Sequence, residues 1–355
     1  MDDADARAWY QQHLPEHALL LRVLDEGARW LRVREVLRLE WGAMPVPVYA
    51  LELGSDARNA PVLGLFGGVH GIERIGTQVL LSWLHSTVQR LQWDHHWREV
   101  LQRVRVVVMP MVNPLGIALH RRSTPEGIDL MRNAPIDATE PVPWLVGGHR
   151  IGPWLPWYRG KAGAPMAAEA QALVHCVRQR VQSGPFSLTL DCHSGFGRRD
   201  RLWFPYARSR TPLHHLAEMH ALSEQYEHTY PHHHPYLIEP QSASYTTHGD
   251  LWDYLYDDLC HRHPERIMLP LTLEMGSWLW VSKNPRQMLD YFGYFNPVIS
   301  HRHRRVLRQH LPLIDFLLSA TAHWQNWVPL PDQHQRHLEQ GLRRWYPYHS
   351  GPPLA

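Results

Sequence analysis

Cysteine is scarce in this 355-residue chain: Cys176, Cys192 and Cys260 are an odd number at wide spacing, with no C-x-x-C. That excludes a disulfide framework and makes a reducing cytoplasm the expected location. Lysine is scarcer still: among 36 basic residues, only Lys161 and Lys283 are not arginine, a compositional bias rather than a site. Charge of either sign is not in excess, with 36 basic against 34 acidic residues and a formal net charge of +2. Nothing in that balance draws the chain towards nucleic acid or a membrane surface. No apolar run reaches the roughly 18 residues that span a bilayer. The opening MDDADARAWYQQHLPEH lacks the basic and apolar regions of a signal peptide. No G-x-S-x-G elbow surrounds Ser194, so a serine nucleophile finds no support.

Histidine, by contrast, is abundant, with 27 residues. Pairs at ligand spacing therefore arise by chance, and a metal site has to be argued from context. The periodicity predicts a helix over 17–31, then strands over 31–39 and 46–53 divided by a turn at 42–45. Short apolar runs at 62–66, 104–109, 187–191 and 268–273 read as buried strands. Helical spacing returns at 76–91, 166–182 and from about 284 to 327, while 111–165 is rich in Pro, Gly and Trp and reads as a long loop. Alternating strands and helices predict an α/β/α sandwich around a mixed, mostly parallel twisted sheet. A single catalytic domain over 1–355 is expected, with its core motifs in 62–280 and a helical extension over about 284–355. In such sheets ligands bind at the carboxyl ends of strands.

Three of those ends carry polar groups in apolar surroundings: His70 and Glu73 after 62–66, His193 after 187–191, and Glu274 in the last strand. Two imidazoles and a carboxylate suffice to hold a catalytic zinc with one position left open. Glu274 would then be free to act as general base. Each residue also has a plainer reading. His70 could cap the following helix, Glu73 could be a first-turn glutamate favoured by the helix dipole, His193 a satisfied core histidine, and Glu274 half of a buried ion pair.

Further motifs stand between these residues. Asn113-Pro114-Leu115-Gly116 is followed by Gly127-Ile128-Asp129-Leu130-Met131-Arg132-Asn133; His193 lies 120 residues after Glu73, and Glu274 81 after His193. In order and spacing this resembles the zinc carboxypeptidases, the funnelin-type metallopeptidases, including a bacterial branch shared with succinylglutamate desuccinylase-like enzymes. The resemblance implies the same α/β/α fold and one zinc ion held by His70, Glu73 and His193. It makes Glu274 the base, Asp129 the carboxylate that orients His70, and Arg122 the group that polarises the scissile carbonyl, with Arg121 the competing assignment. Arg132, with Asn133 beside it, matches the residues that meet the substrate's terminal carboxylate. Tyr245 matches the tyrosine that closes over substrate, and Trp252 falls near the side-chain specificity position, with core packing as the alternative. Met131 stands where the family has an asparagine that helps hold the carboxylate.

The implied activity is metal-dependent cleavage of a peptide amide. An N-acyl amino acid deacylase of desuccinylase or aspartoacylase type and a non-catalytic metal scaffold are the alternatives. The expected partner is a peptide or acyl-amino-acid substrate, with no nucleic acid and no membrane; the oligomeric state is left open. The Trp- and Pro-rich stretch 141–158 would either rim the cleft or pack as a surface loop. His232, His233 and His234 read as a solvated loop, and 301–305 as a solvated basic helical face.

Overall fold

The computed structural model describes residues 3–42, 44–232 and 235–347. His233 and His234 of the histidine tract lie outside the described residues. Among the described residues, eight strands form one mixed sheet: β1 (Arg32–Trp41), β2 (Met44–Gly54), β3 (Val62–Gly67), β4 (Arg105–Met109), β5 (Phe186–Ser194), β6 (Asp200–Phe204), β7 (Tyr236–Pro240) and β8 (Ile267–Met275). Their order across the sheet is β1-β2-β4-β3-β5-β8-β6-β7. The four central strands β4, β3, β5 and β8 run parallel, and the antiparallel β1–β2 ribbon extends one side. On the other side β6 pairs antiparallel to β8 and parallel to β7.

Burial explains the pattern. Every residue of β3, β4 and β5 is buried, as apolar strands covered on both faces must be, whereas β1, with its Arg- and Glu-rich edge, is largely exposed. Helices Arg74–Trp93 and Ser300–Ala322 pack together over β3 and β5, while helices Ala168–Cys176 and Leu251–Arg262 pack together near β1 and β8. The expected fold class is therefore the one observed.

Local differences have local causes. The expected helix over 166–182 is helical over Ala168–Cys176 and then widens to a π-helical turn over Val177–Val181. The expected loop over 111–165 contains two short helical turns, Pro114–Ala118 and Leu130–Arg132. Both are set by capping side chains: Asn113 accepts from Gly116 N at 2.8 Å and Asp129 from Met131 N at 3.0 Å. The N-P-x-G and G-x-D motifs are thus helix starts. Strands β6 and β7, five residues each, carry no apolar run long enough to mark them in sequence.

Candidate active site

The parallel strands deliver the site. Chain leaving β3 turns through Gly68, at φ +64°, and presents His70 and Glu73 just before helix Arg74–Trp93. Gly71 must lack a side chain, because a Cβ there would meet Gly116 C at 2.0 Å; the His70 turn therefore rests directly on the Asn113-capped helix. On β5 and β8, His193 and Glu274 are register partners on adjacent parallel strands.

His70, Glu73 and His193 converge. Nδ1 of His70 lies 2.9 Å from Glu73 Oε1, Nδ1 of His193 lies 2.9 Å from Glu73 Oε2, and the two Nδ1 atoms are 3.1 Å apart. All three residues are buried. The far nitrogens fix the tautomers, since a carboxylate only accepts. His70 Nε2 donates to Asp129 Oδ1 at 3.0 Å and His193 Nε2 donates to Asp191 Oδ2 at 2.8 Å. Both Nδ1 atoms then bring lone pairs to the same point as the Glu73 carboxylate, a donor set that calls for a cation between them.

The electrostatics agree. Burial opposes charge on His193, yet Asp191 and Glu73 hold its imidazole well above the ordinary histidine range. Burial likewise opposes charge on Glu73, but its interactions with His70 and His193 bring its carboxyl below the ordinary range. Without metal, a proton takes the place that a divalent ion fits, and metal binding would release it. Asp129 is held well below its usual value against burial, by Arg122 and His70. Glu274 goes the other way: burial first, and the Glu73 charge second, push it up to about 8. Its Oε1 accepts from Phe196 N at 2.9 Å.

Arg122 donates from Nε to Asp129 Oδ2 at 2.8 Å and from Nη1 to Glu73 Oε1 at 2.9 Å, and it lines the cavity. Arg121 is exposed, so the geometry separates the two arginines. Arg132 also lines the cavity, aimed by Nε–H to Val146 O at 3.1 Å and Nη1–H to Met131 O at 3.3 Å. Tyr245 stands in the same wall beside Phe196 and Trp203, ring centroids 5.6 and 5.9 Å away. The cavity measures about 490 Å³.

Two expected substrate contacts lie elsewhere. Asn133 donates to Arg159 O at 2.8 Å and accepts from Ala167 N at 2.7 Å, so its amide ties loops together outside the cavity wall. Trp252 is buried, edge-on to Phe66 at 5.1 Å, and donates from Nε1 to Asp191 Oδ2 at 2.9 Å, the oxygen that also holds His193. Ser194 gives its hydroxyl to Phe295 O at 2.7 Å. The stretch 141–158 does both things expected of it: Pro143, Val146 and Trp157 face the cavity while Trp144 and Trp154 are exposed.

Sequence reasoning missed Asp191 and the aromatic wall of Phe196, Trp203 and Trp278. The D-x-H spacing on a strand, which places Asp191 and His193 on one face, was the available signal.

Similarity to known proteins follows the same lines. The zinc carboxypeptidase family matches residues 41–277. Carboxypeptidase SOL1 of Arabidopsis thaliana is 25% identical over 92 residues, which are 25% of this chain and 19% of that protein. The matched stretch thus spans about a fifth of that relative. Bovine thrombin-activatable fibrinolysis inhibitor, solved with a tick carboxypeptidase inhibitor, superposes with a TM-score of 0.62 at 17% identity, over 88% of this chain and 98% of that one. Carboxypeptidase A of Helicoverpa armigera gives a TM-score of 0.62 at 14% identity, over 85% and 71%. At those identities the superpositions speak for the fold. The family match spans more than half of the sequence and contains His70, Glu73, His193 and Glu274, and on it the chain belongs to the zinc carboxypeptidase family.

Proposed function

We propose that the protein hydrolyses the amide of a substrate that presents a carboxylate to Arg132, with one zinc ion held by His70, Glu73 and His193. The observation that carries this reading is the convergence of two Nδ1 lone pairs and the Glu73 carboxylate beside Glu274, in one cavity with Arg132. Bound there, zinc supplies Lewis acidity to the scissile carbonyl and the attacking water. The chain's own residues do the rest. Glu274 takes the proton of the attacking water and returns it to the leaving nitrogen. Its raised pKa suits a group that must both accept and donate near neutrality. Arg122, fixed by Asp129 and Glu73, supports the developing oxyanion. Asp129 orients His70, and Tyr245 covers the substrate.

Met131 favours a particular substrate geometry. It is buried, lines the cavity and cannot donate a hydrogen bond, so the carboxylate clamp has one arm where the family has two. A carboxylate set back from the scissile bond, as in side-chain-linked amides or N-acyl amino acids, suits that site as well as a simple C-terminal peptide does.

The test is the ratio of kcat/KM for a free-carboxylate peptide to that for its amidated twin, measured with and without a chelator. Arg132→Ala should lower that ratio about 10- to 100-fold, the worth of a charge-assisted hydrogen bond. Met131→Asn should raise it. An unchanged ratio in Arg132→Ala, or hydrolysis indifferent to chelation, overturns the reading.

A further inference from the structure

Outside the cavity wall, a second set of side chains gathers the same donor types as the first. Helix Leu216–Thr229 carries His220 and Glu224 one turn apart, hence on one face. Helix Pro331–Trp345 brings His337 against them. Nδ1 of His220 lies 3.1 Å from Nδ1 of His337, the same separation as between His70 and His193. Glu224 Oε2 is 3.9 Å from His337 Nδ1, and one donor atom from each of the three residues falls within 4.8 Å of the others. Both histidines are buried, while Glu224 leaves a third of its side chain open to solvent.

We propose that His220, Glu224 and His337 form a second metal site, for a divalent transition ion of the zinc class, which fastens helix Pro331–Trp345 to the body of the protein. Two imidazoles and one carboxylate match the ligand preference of zinc, and the solvent side at Glu224 leaves room for water as a fourth ligand. The helices are close enough for so short a link. A Cβ on Gly341 would stand 3.1 Å from Leu216 Cγ and 3.5 Å from His220 Cβ.

The link also answers a shortage of packing. Helix Pro331–Trp345 is rich in Arg, Gln and His, and its buried residues are His337 and Gly341. Beyond these, Leu338, Leu342 and Trp345 are only partly buried against the core. Without metal, one Nδ1–H donates to the other ring, and Arg336 Nη2 stands 3.3 Å from His337 Nε2, where it favours the Nδ1–H tautomer. Metal binding moves that proton to Nε2 and sends the exposed Arg336 side chain to water. Arg336 therefore competes with the metal, and its removal should tighten binding.

The experiment is metal stoichiometry on the full chain, stripped with a chelator and dialysed against micromolar zinc. Wild type should retain about two equivalents by elemental analysis, and His70→Ala, Glu224→Gln and His337→Gln about one each. Glu224→Gln and His337→Gln should keep hydrolysing substrate. In a His70→Ala background, zinc should raise the unfolding temperature, and adding Glu224→Gln should remove the rise. Arg336→Gln should lower the zinc concentration needed for that rise. About one equivalent in wild type, lost in His70→Ala and kept in His337→Gln, overturns the proposal; so do two equivalents that survive both Glu224→Gln and His337→Gln. Failure of the catalytic reading would instead show as a wild type whose metal content is the same as that of His70→Ala, so the two results stay distinct.

Discussion

The two walls of the candidate active-site cavity are built on different principles. The metal wall comes from the ends of β3, β5 and β8, and its polar groups are tied down twice over. His70 is held by Asp129 and His193 by Asp191, which is itself held by Trp252. The opposite wall comes mainly from irregular chain: Val146 and Trp157 from the long loop, Gln241, Ser244 and Tyr245 from the segment after β7. Its rings, Phe196 with Trp203 and Trp278 at 5.2 and 5.9 Å, offer apolar faces. The lesson is a division of labour: the sheet fixes the chemistry within narrow geometric limits, while the loops carry a surface that can vary with the substrate.

The largest expected effect breaks the chemistry and spares the other wall. Glu274→Gln keeps the shape, and Phe196 N still finds an oxygen, but no base remains. We expect kcat to fall about 10²–10⁴-fold with KM for a free-carboxylate peptide nearly unchanged and full metal content. Near wild-type turnover at equal metal content would make Glu274 a structural residue.

A smaller effect tests whether the buried aspartates tune the metal. Asp129→Asn and Asp191→Asn each remove the anion behind one histidine, at a cost of about 10–100-fold in metal affinity. Competition with a chelator measures this. Asp129→Asn should lower kcat as well, because Arg122 loses its Nε partner. Trp252→Phe, which removes the second donor to Asp191, should weaken metal binding less than either. Equal affinity in all three variants would reduce the aspartates to space-filling.

The difference between the walls also accounts for what was legible in sequence. His70, Glu73, His193 and Glu274 sit at the ends of apolar runs, and such runs announce buried strands whatever the tertiary context. Asp129 and Arg132 came from a motif whose local cause, an aspartate capping a short turn, is itself a sequence signal. Trp252 and Asn133 lie outside the cavity wall for a different reason. Both occupy positions next to the site, but the direction of each side chain depends on how helix Leu251–Arg262 and the Arg159 loop pack, and no spacing encodes that. A positive-φ glycine shows the difficulty: Gly249, at φ +70°, lets the chain pass so close to Arg132 that a Cβ would lie 1.9 Å from its carbonyl oxygen. Strands β6 and β7 belong to the same class, because they are held by pairing with β8 and with each other rather than by their own composition. The aromatic wall was invisible since Phe196, Trp203 and Trp278 are spread over a loop, a strand and a short helix.

The smallest expected effect sharpens the comparison within the metal wall itself. There Glu274 is the carboxyl whose environment disfavours its charge. Burial and the neighbouring Glu73 push it from an ordinary 4.5 to about 8. In the unfolded chain it titrates at the ordinary value. Between those two values the folded, metal-free protein holds a proton that the unfolded chain has lost, so the native state loses stability as pH rises through that window. Above about pH 8 the full penalty of a buried carboxylate is present; below about 4.5 it is absent. Glutamine at this position never ionises and escapes the penalty. Metal-free Glu274→Gln should therefore unfold at a higher temperature than metal-free wild type at pH 8.5, by a few degrees, and at the same temperature near pH 4.5. Zinc should shrink the difference, because a divalent cation beside Glu274 favours its charged form. Thermal unfolding of both proteins at the two pH values, with and without metal, measures all four quantities. A difference independent of pH would show that Glu274 titrates alike in the folded and unfolded chain, with Phe196 N and Arg122 offsetting its burial, and the metal wall would then contain no group poised to exchange a proton near neutrality.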